Sequence, residues 1–180
     1  MNANRKFLII IVSLLAVLSL LSIINVFLIF FSNSIFAKRV PLSFEGNESN
    51  IVWGEYYLSA KRFIPDRSEK CRINEGNVFE VTYSSIFCGC PCQITISFVG
   101  FLKQVNSFQC KVLTNYDNKN ELFALAVDKY SSWIIKYDNC YFDESAPDVF
   151  QFGINLGAEG IAYTIKAEDN CVIIIGDCIF

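Results

Sequence analysis

Residues 77–84 read NVFEVTYS, and residues 93–102 read QITISFVGFL. In an extended chain Phe79, Val81 and Tyr83 project to one side, and Val78, Glu80, Thr82 and Ser84 to the other. Ile94, Ile96 and Phe98 alternate in the same way with Thr95 and Ser97. A period of two, with apolar residues on a single side, predicts half-buried β-strands.

Similar short runs continue along the chain. They are FQCKVLTN (108–115), ELFALAVD (121–128), SWIIKYDN (132–139), VFQFGIN (149–155), GIAYTIK (160–166) and CVIIIG (171–176), with Ile51 to Leu58 as an earlier candidate. Turn-rich residues punctuate them, including YDNKN (116–120), Gly157, Gly160 and Glu168-Asp169-Asn170. Residues 120–128 are the most helix-compatible stretch, but their neighbours favour a strand. Eight or nine short strands predict an all-β, antiparallel β-sandwich of jelly-roll or immunoglobulin-like kind. Trp133 lies too near Cys140 to complete the immunoglobulin cysteine–tryptophan–cysteine pattern.

Upstream of this domain, residues 7–31 form an uncharged run of 25 residues. As a helix it would be roughly 37 Å long, enough for a hydrocarbon core of about 30 Å. The expected organisation is a cytoplasmic stub (1–6), a transmembrane signal-anchor (7–31), a linker (32–50) and a β-rich extracytoplasmic domain (51–180). Ser32, Ser34 and Ala37 keep a second reading open, in which the run is a signal peptide cleaved near Ala37 and the domain is secreted. Arg5 and Lys6 before the run nearly balance Lys38 and Arg39 after it, so basic residues do not orient it.

Cysteine placement gives an orientation. All eight follow the run: Cys71, Cys88, Cys90, Cys92, Cys110, Cys140, Cys171 and Cys178. An even count beyond a membrane segment predicts four disulfides in an oxidising compartment, with the N-terminus in the cytosol. Eight cysteines allow 105 pairings, so connectivity stays open. In FCGCPCQ (87–93), an extended chain would put Cys88, Cys90 and Cys92 on one side, and Pro91 suggests an edge strand or bend. The one-residue spacing does not match a Cys-x-x-Cys redox motif.

Histidine is absent, which removes Ser-His-Asp and Cys-His catalysis and histidine-ligated zinc. Asp138, Asp143, Glu144 and Asp148 form an acidic stretch without the ligand spacing of an EF-hand loop. It reads as a solvated loop. From Val40 onward 11 basic residues face 18 acidic ones, which disfavours nucleic acid or anionic lipid as the main ligand. The local exception is SAKRFIPDRSEKCR (59–72), with five basic side chains. Asn47-Glu48-Ser49 is a glycosylation sequon.

These observations predict a non-enzymatic recognition domain with no cofactor and no metal. It would be held to membrane lipid by residues 7–31 and would bind a protein or glycan. The competing expectations are a secreted binding or effector protein and a thiol-redox or carboxylate-dependent enzyme.

Overall fold

The computed structural model describes residues 3–32, 39–73, 78–114 and 118–179. It contains the helix α1 (Ala3–Ser32), a short helix α2 (Tyr57–Ala60), strands β1 (Glu69–Ile73), β2 (Val78–Phe87), β3 (Cys90–Val99) and β4 (Gln104–Leu113), a helix α3 (Lys119–Ile134), and strands β5 (Cys140–Ala146), β6 (Val149–Asn155), β7 (Gly160–Glu168) and β8 (Cys171–Ile179). One span in α1, Ile9–Phe27, is long and apolar enough to cross a membrane or to serve as a signal sequence. Its serines are paired internally: Ser19 donates to the Ala16 carbonyl at 2.8 Å and Ser22 to that of Leu18 at 3.0 Å. Such pairing is what hydrocarbon demands of a hydroxyl.

The eight strands form one antiparallel sheet, in the order β1-β2-β3-β4-β8-β7-β6-β5. Two four-stranded meanders thus meet where β4 pairs with β8, Cys110 opposite Ile174. This corrects the expected sandwich. The sheet is open, and what covers its apolar face is a helix and an irregular arm.

That helix is the second correction. Residues 121–128 and part of 132–139, expected as strands, form α3. Leu122, Ala126, Tyr130, Trp133 and Ile134 are its buried residues, at the spacing of a helical stripe. Lysine, glutamate, leucine and alanine in the same stretch favour a helix, and α3 packs on β6, β7 and β8. Its aromatic residues form a cluster with the sheet: Tyr130 lies 5.7 Å from Trp133 and 5.6 Å from Tyr163, and Tyr163 stacks on Phe152 at 5.1 Å.

The arm is the third correction. Residues 40–50, expected as linker, enter the core, while 33–38 lie outside the described residues. Val40, Leu42, Ile51 and Trp53 are fully buried. Leu42 donates to the Ile51 carbonyl at 2.9 Å and Trp53 to that of Val40 at 3.0 Å. The Trp53 indole donates to the Tyr163 hydroxyl at 2.8 Å, and that hydroxyl donates to the Leu42 carbonyl at 3.1 Å. Gly176 makes room for this ring, since a Cβ there would sit 2.8 Å from Trp53 Cζ2 and 2.9 Å from Tyr163 Cε1. Ile51 to Leu58 is likewise no strand. It holds single bridges, Pro41 to Val52 and Tyr56 to Gln104, and then α2.

The sequence readings of β2, β3, β4, β6, β7 and β8 agree with the sheet, and β5 is an edge strand drawn from the expected acidic loop. Cys88 and Gly89 join β2 to β3 with φ of 49° and 79°. Two positive φ values in a two-residue connection match the twist of a hairpin. Pro91 stands in an interior strand, yet beyond the last β3–β4 pair, Cys92 opposite Val112. Its missing N–H therefore costs no pairing with β4.

Candidate functional site

The side of the sheet away from α3 carries no other element of the described residues. The pairing register lines up Glu69, Thr82, Thr95, Gln109, Ile175, Thr164, Gln151 and Asp143 in one row across all eight strands. On one side of that row lie Glu80, Ser97, Ser107 and Asp177, and on the other Ser84, Gln93, Lys111, Ile173 and Lys166. Most of these side chains are half-buried or exposed. Thr82 and Thr95 share a hydrogen bond at 3.1 Å, and Ser97 donates to Glu80 at 3.0 Å. Alternation produces this surface: residues between the apolar positions of each strand must point outward. The result is a broad ladder of hydroxyls and amides, with acidic side chains along one margin and lysines along the other.

The opposite, packed face holds a buried polar group. Glu48 belongs to a 3-10 turn, Asn47–Asn50, at the tip of the arm, and is buried. Tyr83 of β2 donates to its carboxylate at 2.6 Å. Burial pushes the Glu48 carboxyl above the usual range. The Tyr83 hydrogen bond and its own backbone N–H pull it back, and the Glu45 charge adds to the rise. Glu45 accepts from the Cys88 N–H at 2.6 Å and so fastens the arm to the β2–β3 turn. Ser43 and Tyr130 share a hydrogen bond at 3.2 Å and tie the arm to α3.

The thiols divide among these places. The seven cysteines whose side chains are described are free, and no two of them lie at bonding distance. The four disulfides expected from the sequence are therefore absent among the described residues. Cys71 stands opposite Glu80 in the β1–β2 register. Cys88 lies in the turn and not in a strand, so the expected alignment of Cys88, Cys90 and Cys92 holds only for the last two. Burial first, then the Glu45 carboxylate, pushes the Cys88 thiol up to about 11.

Cys92 and Cys110 are buried diagonal neighbours on β3 and β4, since Cys110 faces Ile94. They are hydrogen-bonded to each other. That bond lowers Cys92 below the usual thiol range and raises Cys110 above it, to which burial adds. Cys178 is pushed up to about 12, chiefly by burial. Cys140 pairs with Ile154 at the sheet edge, and Cys171 approaches Glu168 at 4.0 Å.

Other expected site residues are scattered. Asn47 is exposed on its turn. Asp143 and Asp148 are exposed, on β5 and in the turn after it. Among the described residues no three cysteine or carboxylate side chains gather as a metal site. Glu48 and Tyr83 went unnoticed in the sequence as a pair. The sequence carries little trace of the pair: Glu48 is one of two carboxylates in a mostly polar arm, and only Tyr83, on the apolar side of its strand, points inward. No family model matches the chain, and no curated protein or solved structure is detectably similar to it.

Proposed function

We propose that this is a membrane-anchored recognition domain, and that the open polar face of its sheet receives a protein partner. The face carries the argument. At about 4.8 Å between strands, eight strands span roughly 34 Å. Six residues along each strand add roughly 20 Å, giving about 700 Å². A stable protein interface takes about 800 Å² from each side. Threonine, serine and glutamine supply hydrogen bonds in a fixed array, and the margins of opposite charge would set the partner's direction. α1 is the anchor in this reading, and the N-terminus is cytoplasmic.

The test places a photocrosslinking residue at Gln109 or Thr164 in the full chain, with Lys129 on α3 as the comparison. Specific crosslinks from the sheet positions, and none from α3, are expected. Crosslinks from Lys129 alone would refute the assignment.

The cysteines suit structure better than catalysis. A thiol pushed up to about 11, as at Cys88, holds little thiolate near neutral pH. Among the pairings open to eight cysteines, the diagonal contact favours Cys92 with Cys110. In an oxidising compartment the two thiols would release two protons and pass two electrons to a disulfide-exchange partner. Non-reducing peptide mapping tests this, and either sulfur joined to a third cysteine would refute it. Exposed Asn47 is open to glycosylation in a cell that modifies such sequons, which the same mapping would detect.

A further inference from the structure

The β3–β4 turn exposes apolar side chains at the end of the sheet where the chain enters the domain. Phe101 is 97 % exposed and Leu102 59 %, and nearby Leu58 is 78 % exposed. A hydrogen-bond sequence joins this turn to the point of entry. The Tyr57 N–H bonds the Lys103 carbonyl at 2.9 Å, the Gly54 N–H bonds that of Val105 at 3.1 Å, and the Trp53 N–H bonds that of Val40 at 3.0 Å. Between Ser32, which ends α1, and Val40 the chain can stretch at most about 27 Å.

Cationic side chains surround the same end. Arg39, Lys61, Arg62 and Lys103 are all exposed. Two carboxylates lie close by in the chain: Asp66 is exposed beside Lys61 and Arg62 and offsets part of their charge, while Glu55 is engaged by Ser59 at 2.5 Å and by the Val52 N–H at 3.1 Å. The domain as a whole is acidic, so an anionic bilayer would repel most of its surface and attract this end.

We infer that Phe101, Leu102 and Leu58 form a second membrane contact, seated in the interface of the bilayer that holds α1, with Lys61, Arg62 and Lys103 against lipid phosphates. Short tethering keeps the turn within reach of that surface. Apolar tips flanked by cations match the layering of a headgroup region. The strands would then stand up from the membrane and hold the open face clear of it. This inference rests on the anchored reading of α1.

The test uses the full chain reconstituted in vesicles of phosphatidylcholine with a minor fraction of phosphatidylserine, with and without brominated acyl chains. Tryptophan replaces Phe101, or Leu102 as a second probe. Leu113→Trp, at the opposite end of the sheet, is the comparison. Trp53 and Trp133 are buried and supply a common background. Quenching of the residue-101 and residue-102 probes by brominated lipid, and not of the residue-113 probe, is expected. Equal or absent quenching would overturn the inference. Alkaline carbonate extraction of the same samples tests the anchor separately. An extracted chain refutes the anchored reading, whereas a retained chain with unquenched probes refutes only the second contact.

Discussion

Gly176→Ala is the sharpest probe of how the arm is held. The added methyl would lie 2.8 Å from Trp53 Cζ2, 2.9 Å from Tyr163 Cε1 and 3.1 Å from Trp53 Cη2. Ordinary carbon contacts are about 3.5–4.0 Å, so the rings must retreat by about 1 Å. They have little freedom to do so, because the indole N–H is bonded to the Tyr163 hydroxyl at 2.8 Å and Trp53 is fully buried. Overpacking of this kind costs about 1–3 kcal/mol. For a chain of this size each kcal/mol lowers Tm by about 2–4 °C. Thermal unfolding followed by circular dichroism should therefore show a drop of several degrees. Adding Trp53→Leu to Gly176→Ala should cost less than the two single changes together, since the smaller side chain frees the space the methyl needs. An alanine variant as stable as the parent, or strict additivity in the double variant, would refute the close-packing argument.

Tyr163→Phe removes the hydroxyl between the Trp53 indole and the Leu42 carbonyl. Two buried groups lose a partner, so urea denaturation should show a loss of about 2–4 kcal/mol; a loss below about 1 kcal/mol would mean that other partners replace the hydroxyl. Glu48→Gln addresses pH. The folded carboxyl is raised, so the folded state binds more protons than the unfolded state, and stability falls as pH climbs from the ordinary carboxylate range through the raised value. The glutamine variant lacks that slope, so its advantage over the parent should grow from acidic to neutral pH; parallel urea midpoints across that range would contradict this. Cys88 should react slowly with iodoacetamide near neutral pH and accelerate as pH approaches 11, read by peptide mapping. Labelling at the unfolded rate at neutral pH would show that neither burial nor Glu45 restrains the thiol.

Period-two alternation exposed six of the eight strands because each lies inside the sheet, with one face packed and one wet. The same logic assigned Thr82, Thr95 and Ser97 to the outer face. It could not align them with Gln109, whose register shifts at a bulge between Ser97 and Phe98 in the β3–β4 pairing, nor with Thr164, which joins the row only because β8 crosses back to β4, more than sixty positions away. β5 stayed hidden because an edge strand exposed along most of its length needs no apolar alternation: Tyr141, Phe142 and Asp143 are all exposed. In α3 the helical stripe of Leu122, Ala126 and Tyr130 was present, but strand-like neighbours outweighed it. The arm was illegible for another reason. Proline, glycine and asparagine mark 40–50 as irregular, and irregular chain is ordinarily surface; only the vacant apolar face of a single sheet draws it inward. Glu48 is buried because Tyr83, 35 residues away, meets it there.

The arm also fixes how the domain bears load. Traction on the segment leading from α1 arrives at Val40, whose carbonyl is bonded to Trp53, and passes through the indole and Tyr163 into β7 at the middle of the second meander. In the anchored reading proposed above, tension on α1 would load the arm's hydrogen bonds ahead of those between the strands. The outer face could therefore hold its alignment under tension while the arm yields first, like a fuse in series with the part it protects.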